Sequence, residues 1–85
     1  MYYCYILRSQ KDKKFYIGSS GDLKKRFSEH QNGKVQSTKS RRPLQLIFYE
    51  AFISKDDATR REHYFKSSKG KSSLRMMLRG TLQKQ

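Results

Sequence analysis

Side chains that can move protons and bind phosphate are concentrated in the first thirty residues. Tyr5 precedes Tyr16, which begins a Tyr-Ile-Gly segment, and Arg26 and His30 follow that segment. A phenol and an imidazole can transfer protons, and a guanidinium binds phosphate oxygens through paired N–H donors. Further along, Glu62 lies among apolar neighbours and is a candidate cation ligand. Together these groups are suited to cutting a phosphodiester bond.

The composition predicts a polyanion as the partner. The 85 residues include 20 Lys and Arg against 7 Asp and Glu, a formal net charge of +13. Such an excess attracts nucleic acid. The basic residues are spread along the chain rather than along one amphipathic helix, which argues against a membrane surface. A basic protein associated with RNA or the ribosome stays open as an alternative.

The length allows one hydrophobic core, which 34% apolar residues must keep small. Cys4 has no second cysteine to pair with, so it is predicted to fill the core, and the scarcity of Cys and His argues against structural zinc. The sequence contains no apolar run of membrane-spanning length and no secretory signal at its start, which predicts a cytoplasmic location.

The elements that must position the candidate residues follow from the pattern of residue types. Residues 2–8 and 15–18 are rich in aromatic and β-prone residues and predict an antiparallel hairpin, with a third strand over 44–52. A first helix, capped by Ser20 or Asp22, is expected to end at Gly33.

The second half of the chain predicts two further helices. Ser54 and Asp57 have the spacing of a capping box, and their helix is expected to reach about Lys69 and break at Gly70. A short amphipathic helix around Leu74 then closes the fold, and residues 80–85 are expected to be frayed. The fold class is α/β (α+β): one domain over 1–79, in the order β-β-α-β-α-α, with a three-stranded, mostly antiparallel sheet flanked by helices.

Each candidate residue also has an ordinary structural explanation. Arg26 and His30 share one helix face, where an arginine is commonly solvated and a histidine near the C-terminus is commonly a cation. Tyr5 and Tyr16 are predicted on paired strands, where tyrosines usually pack half-buried. Gly18 favours a functional explanation for Tyr16, because glycine at a strand end permits close approach of a backbone or a phosphate.

Glu62 lies between Ala58 and Phe65, beside a stripe expected to face the sheet. An acid at such a position is costly unless it is paired or binds a cation. One explanation is an ion pair with Arg60, Arg61 or another basic residue. The other is a single Mg²⁺ or Mn²⁺ held by one carboxylate, waters and phosphate oxygens.

In combination, these residues resemble the GIY-YIG nuclease family over nearly the whole chain. Tyr-Ile-Gly is intact at 16–18, and Tyr3-Cys4-Tyr5 stands where Gly-Ile-Tyr is usual. Residues 16–30 look like the family's strand end and helix with its arginine and histidine. The sequence is most similar to the small standalone bacterial members, and also to the N-terminal nuclease domain of the excision-repair incision subunit. It departs from the repair-type domain at Ser19, where that domain carries lysine, and it has no late asparagine after Glu62.

The resemblance implies a metal-dependent mechanism. Glu62 would bind one divalent ion, Tyr5 or Tyr16 would act as general base, Arg26 would stabilise the developing charge, and His30 would orient a tyrosine or the leaving group. Phosphate contacts would come from the glycine of the motif and from basic residues, namely Gly18, Lys34, Lys39, Arg41, Arg42, Lys69 and Lys71.

The leading hypothesis is therefore a DNA endonuclease using one Mg²⁺ or Mn²⁺, structure-selective or weakly sequence-specific. It would be a monomer acting on DNA, with RNA as the alternative substrate, no membrane partner, and recruitment by a repair or replication protein. A non-catalytic nucleic-acid-binding module of the same fold stays open, as does the RNA- or ribosome-associated protein. The enzyme hypothesis requires Glu62 to meet the two tyrosines and Arg26 around a common pocket.

Overall fold

The computed structural model describes residues 1–83 and confirms the predicted three-stranded antiparallel sheet flanked by helices. The strands are β1 (Tyr2–Ser9), β2 (Phe15–Ser20) and β3 (Leu44–Phe52), and a 3-10 turn at Lys39–Arg41 precedes β3. The helices are α1 (Leu23–Gln31), α2 (Lys55–Lys66), α3 (Ser68–Met77) and α4 (Arg79–Gln83). Of the helices in this described part, none is long and apolar enough to cross a membrane.

The sheet order is β2-β1-β3, so β1 is central and β2 is an edge strand. Tyr5 pairs with Gly18 and Cys4 pairs with Ser19 across the β1–β2 ladder. Directly paired residues point to the same face, so Tyr5 and Gly18 share one face, and Cys4 and Ser19 share the other. Cys4 is fully buried, and burial raises the pKa of its thiol to about 12, which confirms that it is a core residue.

Helices cover both faces of the sheet. On the Tyr5 face, α1 packs through Leu23 and Phe27. On the Cys4 face, α2 and α3 contribute the fully buried Phe65 and Leu74, and burying each such side chain stabilises the fold by roughly 1.5–3 kcal/mol. Groups on α1 and groups on α2 therefore lie on opposite sides of the sheet and can approach each other only around one of its edges, β2 or β3.

The ends of α1 follow the sequence prediction. Of the two candidate caps, Asp22 occupies the N-cap, and its Oδ1 accepts a hydrogen bond from Lys25 N at 3.0 Å. Gly33 follows the C-cap residue Asn32 with φ of 76°, a left-handed conformation that glycine adopts without steric cost. The cap and the glycine together set where α1 begins and ends.

The junction between α2 and α3 differs from the prediction of one helix to Lys69 broken by Gly70. Helix α2 ends at Lys66, and Ser67 caps α3 by accepting a hydrogen bond from Gly70 N at 3.1 Å. Gly70 lies inside α3, where a Cβ would overlap the carbonyl oxygen of Tyr64. Glycine is needed here for close helix packing and not to end a helix.

The predicted capping box at the start of α2 is wrong in its side-chain bonds. Ser54 occupies the N-cap position but makes no capping hydrogen bond through its side chain. Asp57 instead accepts a hydrogen bond from Arg60 at 2.8 Å, an exposed pair one turn apart. In this cationic chain a nearby guanidinium outcompetes the backbone amide for the carboxylate.

The frayed tail expected from residue 80 is corrected over its first part. Residues 79–83 form α4, and Leu82 packs against the core on the α2 side. The apolar contact explains the order, since a helix this short is unstable alone. Residues 84 and 85 lie outside the described residues, and the domain boundary at residue 79 stays a prediction.

Candidate active site

The Tyr5 phenol lies against Gly18 on the neighbouring strand. Tyr5 is 1% exposed, and a Cβ added at Gly18 would lie 2.6 Å from the Tyr5 hydroxyl oxygen. The sequence predicted that Gly18 would admit a backbone or a phosphate. In the structure it admits the ring of Tyr5, so the glycine fixes the position of the phenol.

His30, in the last turn of α1, is fully buried between two hydroxyl groups. The Tyr5 hydroxyl lies 2.9 Å from Nε2, and Thr38 Oγ1 lies 2.8 Å from Nδ1. Thr38 also donates a hydrogen bond from Oγ1 to the carbonyl of Val35 at 3.5 Å. Because this bond uses the hydroxyl proton of Thr38, Oγ1 accepts a hydrogen bond from Nδ1–H of His30. In this tautomer Nε2 carries no proton and accepts a hydrogen bond from the Tyr5 hydroxyl.

Burial keeps both partners of the Tyr5–His30 hydrogen bond uncharged. Burial, together with the Arg26 charge, lowers the pKa of His30 from 6.5 to about 4. Burial also raises the pKa of Tyr5 from 10.0 to about 12. His30 is therefore a neutral acceptor, and its alternative interpretation as a helix C-terminal cation is wrong.

Tyr16 completes an aromatic cluster on the same face of the sheet. It pairs with Leu7, two register steps along the ladder from the Tyr5–Gly18 pair. Its ring centroid lies 6.4 Å from that of Tyr5 and 4.9 Å from that of His30. The predicted proximity of the two tyrosines is confirmed, but their surroundings differ, because Tyr16 is only half-buried.

Arg26 lies one helical turn before His30, and its side chain is 38% exposed. It forms an ion pair with Glu29 at 3.2 Å. The pKa of Arg26 is raised, mainly by a hydrogen bond with the nearby Tyr5 hydroxyl. Arg26 is thus not merely a solvated surface residue: its permanent charge lies close to the Tyr5 phenol.

Glu62 is held at β2 from the opposite face of the sheet. Ser19 donates a hydrogen bond to Oε1 at 2.6 Å, and Lys66 donates to Oε2 at 2.8 Å. Burial would raise the pKa of Glu62, but the hydrogen bonds from Lys66 and Ser19 outweigh it and lower the pKa. The carboxylate is therefore ionised at neutral pH.

Glu62 forms an ion pair, as one of its two sequence-based explanations predicted, but its partner is neither Arg60 nor Arg61. Arg60 pairs with Asp57, and Arg61 makes two hydrogen bonds to Glu50, at 2.8 and 3.0 Å. Lys66, one turn after Glu62, is the cation on its carboxylate. Its side chain is 51% exposed, so the pair is accessible to solvent.

The residues expected to share one pocket are divided between two depressions, each lined by residues of β2. Ser19, which holds Glu62, lines one depression together with Arg26. Tyr16 and Lys66 line the other. The hydrogen bonds of Glu62 within residues 1–83 go to Ser19 and Lys66 and not to the tyrosines or Arg26. Glu62 is therefore linked to this strand through Ser19 and is not bonded to the other candidate residues.

Comparison with known proteins identifies the family of this chain. A model of the GIY-YIG catalytic domain matches residues 1–75. The chain belongs to the GIY-YIG family. The GIY-YIG domain is a nuclease fold, and GIY-YIG nucleases generally use divalent metal ions.

Small bacterial members of the family are similar over most of their length. A UPF0213 protein of Staphylococcus saprophyticus is 36% identical over 80 residues, which cover 93% of this chain and 96% of the relative. The UPF0213 protein YazA of Bacillus subtilis is 42% identical over 66 residues, 76% of this chain and 66% of the relative. The solution NMR structure of the UPF0213 protein BH0048 from Bacillus halodurans is 34% identical, covers 91% of this chain and 85% of that chain, and superposes with a TM-score of 0.56.

The candidate site fits a metal ion held by one carboxylate and not by several. Residues 1–83 contain no group of three or more His, Cys, Asp and Glu side chains arranged to hold an ion. Glu62 is the ionised acid at β2, and each carboxylate oxygen has lone pairs beyond the one that Ser19 or Lys66 uses. Water and phosphate oxygens would have to complete the coordination.

The basic residues predicted to contact phosphate are not equivalent. Arg41 is bound to Asp12 at 3.0 Å and to the carbonyl of Phe15 at 3.3 Å. Arg42 donates to the carbonyls of Lys39 and Gln31. Both guanidiniums thus hold the loop before β3 in place, whereas Lys34, Lys39, Lys69 and Lys71 are exposed.

Sequence reasoning missed three residues that hold the groups of the candidate site. Lys66 had a readable signal, because a lysine four residues after a glutamate on a helix commonly pairs with it. Ser19 and Thr38 had none, since Ser19 meets Glu62 from 43 positions away and Thr38 meets His30 across a loop. Only the tertiary structure brings these pairs together.

Proposed function

We propose that this GIY-YIG domain is a DNA endonuclease that hydrolyses phosphodiester bonds with one Mg²⁺ or Mn²⁺. Its selectivity would be for DNA structure or weakly for sequence, since the small domain offers little surface for reading base edges. One observation carries the proposal: two tyrosines, a neutral histidine and an arginine cluster at β2, and the same strand holds the ionised Glu62 through Ser19.

Each residue of the candidate site has a separate part in the reaction. Glu62 would hold the divalent ion, which when bound supplies positive charge at the scissile phosphate and lowers the pKa of its water. The Arg26 guanidinium stabilises the negative charge that develops on the phosphate in the transition state. One tyrosine of the pair, acting as its phenolate, would accept the proton of the attacking water, and His30 fixes the hydroxyl of Tyr5.

The two phenols differ in how they would take a proton. Tyr5 is buried, bound to His30, and has its pKa raised to about 12 by burial, so it can act only if the Arg26 and metal charges favour its anion. Tyr16 is half-buried and lines a surface groove, where water reaches it directly. Replacing each tyrosine by phenylalanine distinguishes the two.

Nicking of supercoiled plasmid with Mg²⁺ or Mn²⁺ tests the proposal. Glu62→Ala and Arg26→Ala should each lower the rate by orders of magnitude while fold and DNA binding survive. Asp57→Ala and Lys24→Ala are matched controls, because each lies exposed on the same helix as its counterpart, and both should cleave normally. Equal cleavage by wild type and Glu62→Ala would assign the nicking to a contaminant.

A non-catalytic nucleic-acid-binding module is the second candidate, and one interaction favours it. Lys66 already places a cation on Glu62, which satisfies the carboxylate without a metal ion. This candidate predicts DNA binding, or RNA binding in a ribosome-associated protein, with no metal-dependent nicking. In either case we propose a cytoplasmic monomer that a repair or replication protein recruits.

A further inference from the structure

A cationic groove runs beside the edge strand, next to the candidate active site. This β2-edge groove has a volume of about 450 Å³ and is lined by Lys13, Lys14, Phe15, Tyr16, Ile17, Lys66, Lys71 and Arg75. Five of these eight residues are cations, and none of this lining is acidic. Tyr16 and Lys66 belong both to the groove and to the surroundings of the candidate active site.

The groove cations are positioned by separate elements of the fold. Lys13 and Lys14 lie in the turn between β1 and β2, and Lys13 has a left-handed backbone with φ of 63°. Lys71 and Arg75 lie one turn apart on α3, so they share one helix face. Arg75 lies over the Phe15 ring at 5.4 Å, a cation–π contact that holds its guanidinium at the groove wall.

Two acids adjoining the groove residues are already neutralised. Asp12, next to the groove lysines in the turn, accepts a hydrogen bond from Arg41 at 3.0 Å. Glu62 is paired with Lys66. The groove therefore presents a net positive charge. A row of phosphates is the polyanion whose charge suits the four remaining cations beside an apolar wall.

We propose that the β2-edge groove binds the sugar-phosphate backbone of the DNA strand that is cut, and delivers it to Tyr16 and Glu62. This inference rests on the proposed nuclease function and deepens it. It keeps Lys71 among the predicted phosphate contacts and replaces those of the loop at 34–42 by the hairpin turn and Arg75. In that loop, Arg41 and Arg42 are held by internal hydrogen bonds.

Salt-dependent binding of a fluorescein-labelled 20-base-pair DNA, measured by anisotropy in EDTA so that no cleavage occurs, tests the groove. The double variant Lys71→Ala/Arg75→Ala should bind at least tenfold more weakly. Its plot of log K against log salt should be shallower by about 2, because each phosphate that a cation neutralises contributes roughly 0.9 to the slope. The matched control Lys24→Ala/Lys55→Ala removes two exposed lysines of α1 and α2, outside the groove, and should change affinity by less than threefold.

Several outcomes of the binding experiment would contradict the groove assignment. An equal or larger weakening in the control, or in Lys34→Ala/Lys39→Ala of the loop at 34–42, would overturn the groove assignment. Should the α3 double variant melt at a lower temperature than wild type, Lys13→Asn/Lys14→Gln probes the groove from the other side, since asparagine tolerates the left-handed conformation. Normal binding by that variant would also reject the proposal. So would tighter binding of an RNA of the same sequence through the same residues, which would replace DNA by RNA as the ligand.

Cleavage assays separate this inference from the nuclease proposal. If wild type binds DNA through the groove but never nicks plasmid in Mg²⁺ or Mn²⁺, the nuclease proposal fails and the groove stands. If wild type nicks plasmid and the α3 double variant binds and nicks equally well, the groove assignment fails and the nuclease proposal stands.

Discussion

The two faces of the sheet hold their polar groups in opposite ways. On the α1 face, Tyr5, His30 and Thr38 form a buried chain of neutral hydrogen bonds. On the α2 face, Glu62 and Glu50 are each paired with a cation in partly exposed ion pairs. Buried neutral bonds fix geometry because water cannot replace either partner, whereas exposed ion pairs can exchange theirs at little cost. The candidate site therefore joins a rigid half, formed by Tyr5, His30 and Thr38, to an exchangeable half, formed by the Glu62–Lys66 ion pair.

The sharpest way to examine the rigid half is to remove each phenol in turn. Removing the tyrosine that serves as base should lower the single-turnover nicking rate by about 10²–10⁴-fold, the usual contribution of a general base. Tyr5→Phe and Tyr16→Phe are compared with Tyr49→Phe, whose ring is 53% exposed on β3 and should not matter. The slower of the two variants identifies the base. Equal rates in all three variants would exclude both phenols.

Gly18→Ala should disturb the rigid half by crowding Tyr5. The added methyl would lie 2.6 Å from the hydroxyl oxygen of a fully buried ring, and overpacking of this kind costs roughly 1–3 kcal/mol. Gly21→Ala is the control, because its Cβ would meet Tyr2 at an ordinary 3.6 Å. Urea denaturation measures both. If both variants lose the same stability, the Tyr5 ring is not held as tightly as described.

Acid should weaken the rigid half before it affects the carboxylates. The unfolded chain protonates His30 near its usual pKa of 6.5, whereas the folded protein does so near a pKa of about 4. The unfolded state therefore binds more protons in between, so the stability contributed by neutral His30 is complete above pH 6.5 and is lost as pH falls toward 4. From pH 6.5 to pH 5 we expect a loss of about 1.5 kcal/mol.

Denaturation curves of two histidine variants check this assignment. His30→Gln should lose the pH slope between 5 and 6.5, while His63→Gln, an exposed change on α2, should retain it. A slope that survives in His30→Gln would mean that another group titrates in this window. Measurements stop at pH 5 because Glu62, with its lowered pKa, affects stability only below its usual value of 4.5.

The exchangeable half should respond least in stability and most in ion binding. Lys66→Met removes a half-exposed ion pair, which changes stability by less than about 1 kcal/mol. It also removes the ammonium that competes for Glu62, so Mn²⁺ should bind the free protein more tightly. Titration followed by electron paramagnetic resonance measures this, with Lys55→Met on the same helix as control. Weaker Mn²⁺ binding in Lys66→Met would show that the lysine assists the ion.

Local chemistry made most of the fold predictable. Aromatic and branched residues marked the three strands, Asp22 and Gly33 marked the ends of α1, and the paired order of β1 and β2 followed from their short connection. The prediction of a helix break at Gly70 is wrong because a glycine that ends a helix and a glycine that admits another helix look alike in a sequence. The difference lies in the backbone of Tyr64, which packing alone brings near.

The candidate site was predictable in its residue types and not in its pairings. Motif spacing selected Tyr5, Tyr16, Arg26, His30 and Glu62, and the geometry groups the first four closely. The helix of Glu62 proved to lie across the sheet, so the carboxylate approaches around the β2 edge by way of Ser19. Such a detour depends on strand order, which no local pattern in the second half of the chain encodes.

The position of β2 at the rim of the sheet has a consequence for association. An unpaired strand invites another protein's backbone to extend the sheet by strand addition, and proteins suppress this with lysines along the exposed side. Here Lys13, Lys14 and Lys66 flank that side. Mutual repulsion between copies would therefore keep the rim open and guard against aggregation. Substituting these lysines with neutral residues removes that protection along with any anion binding.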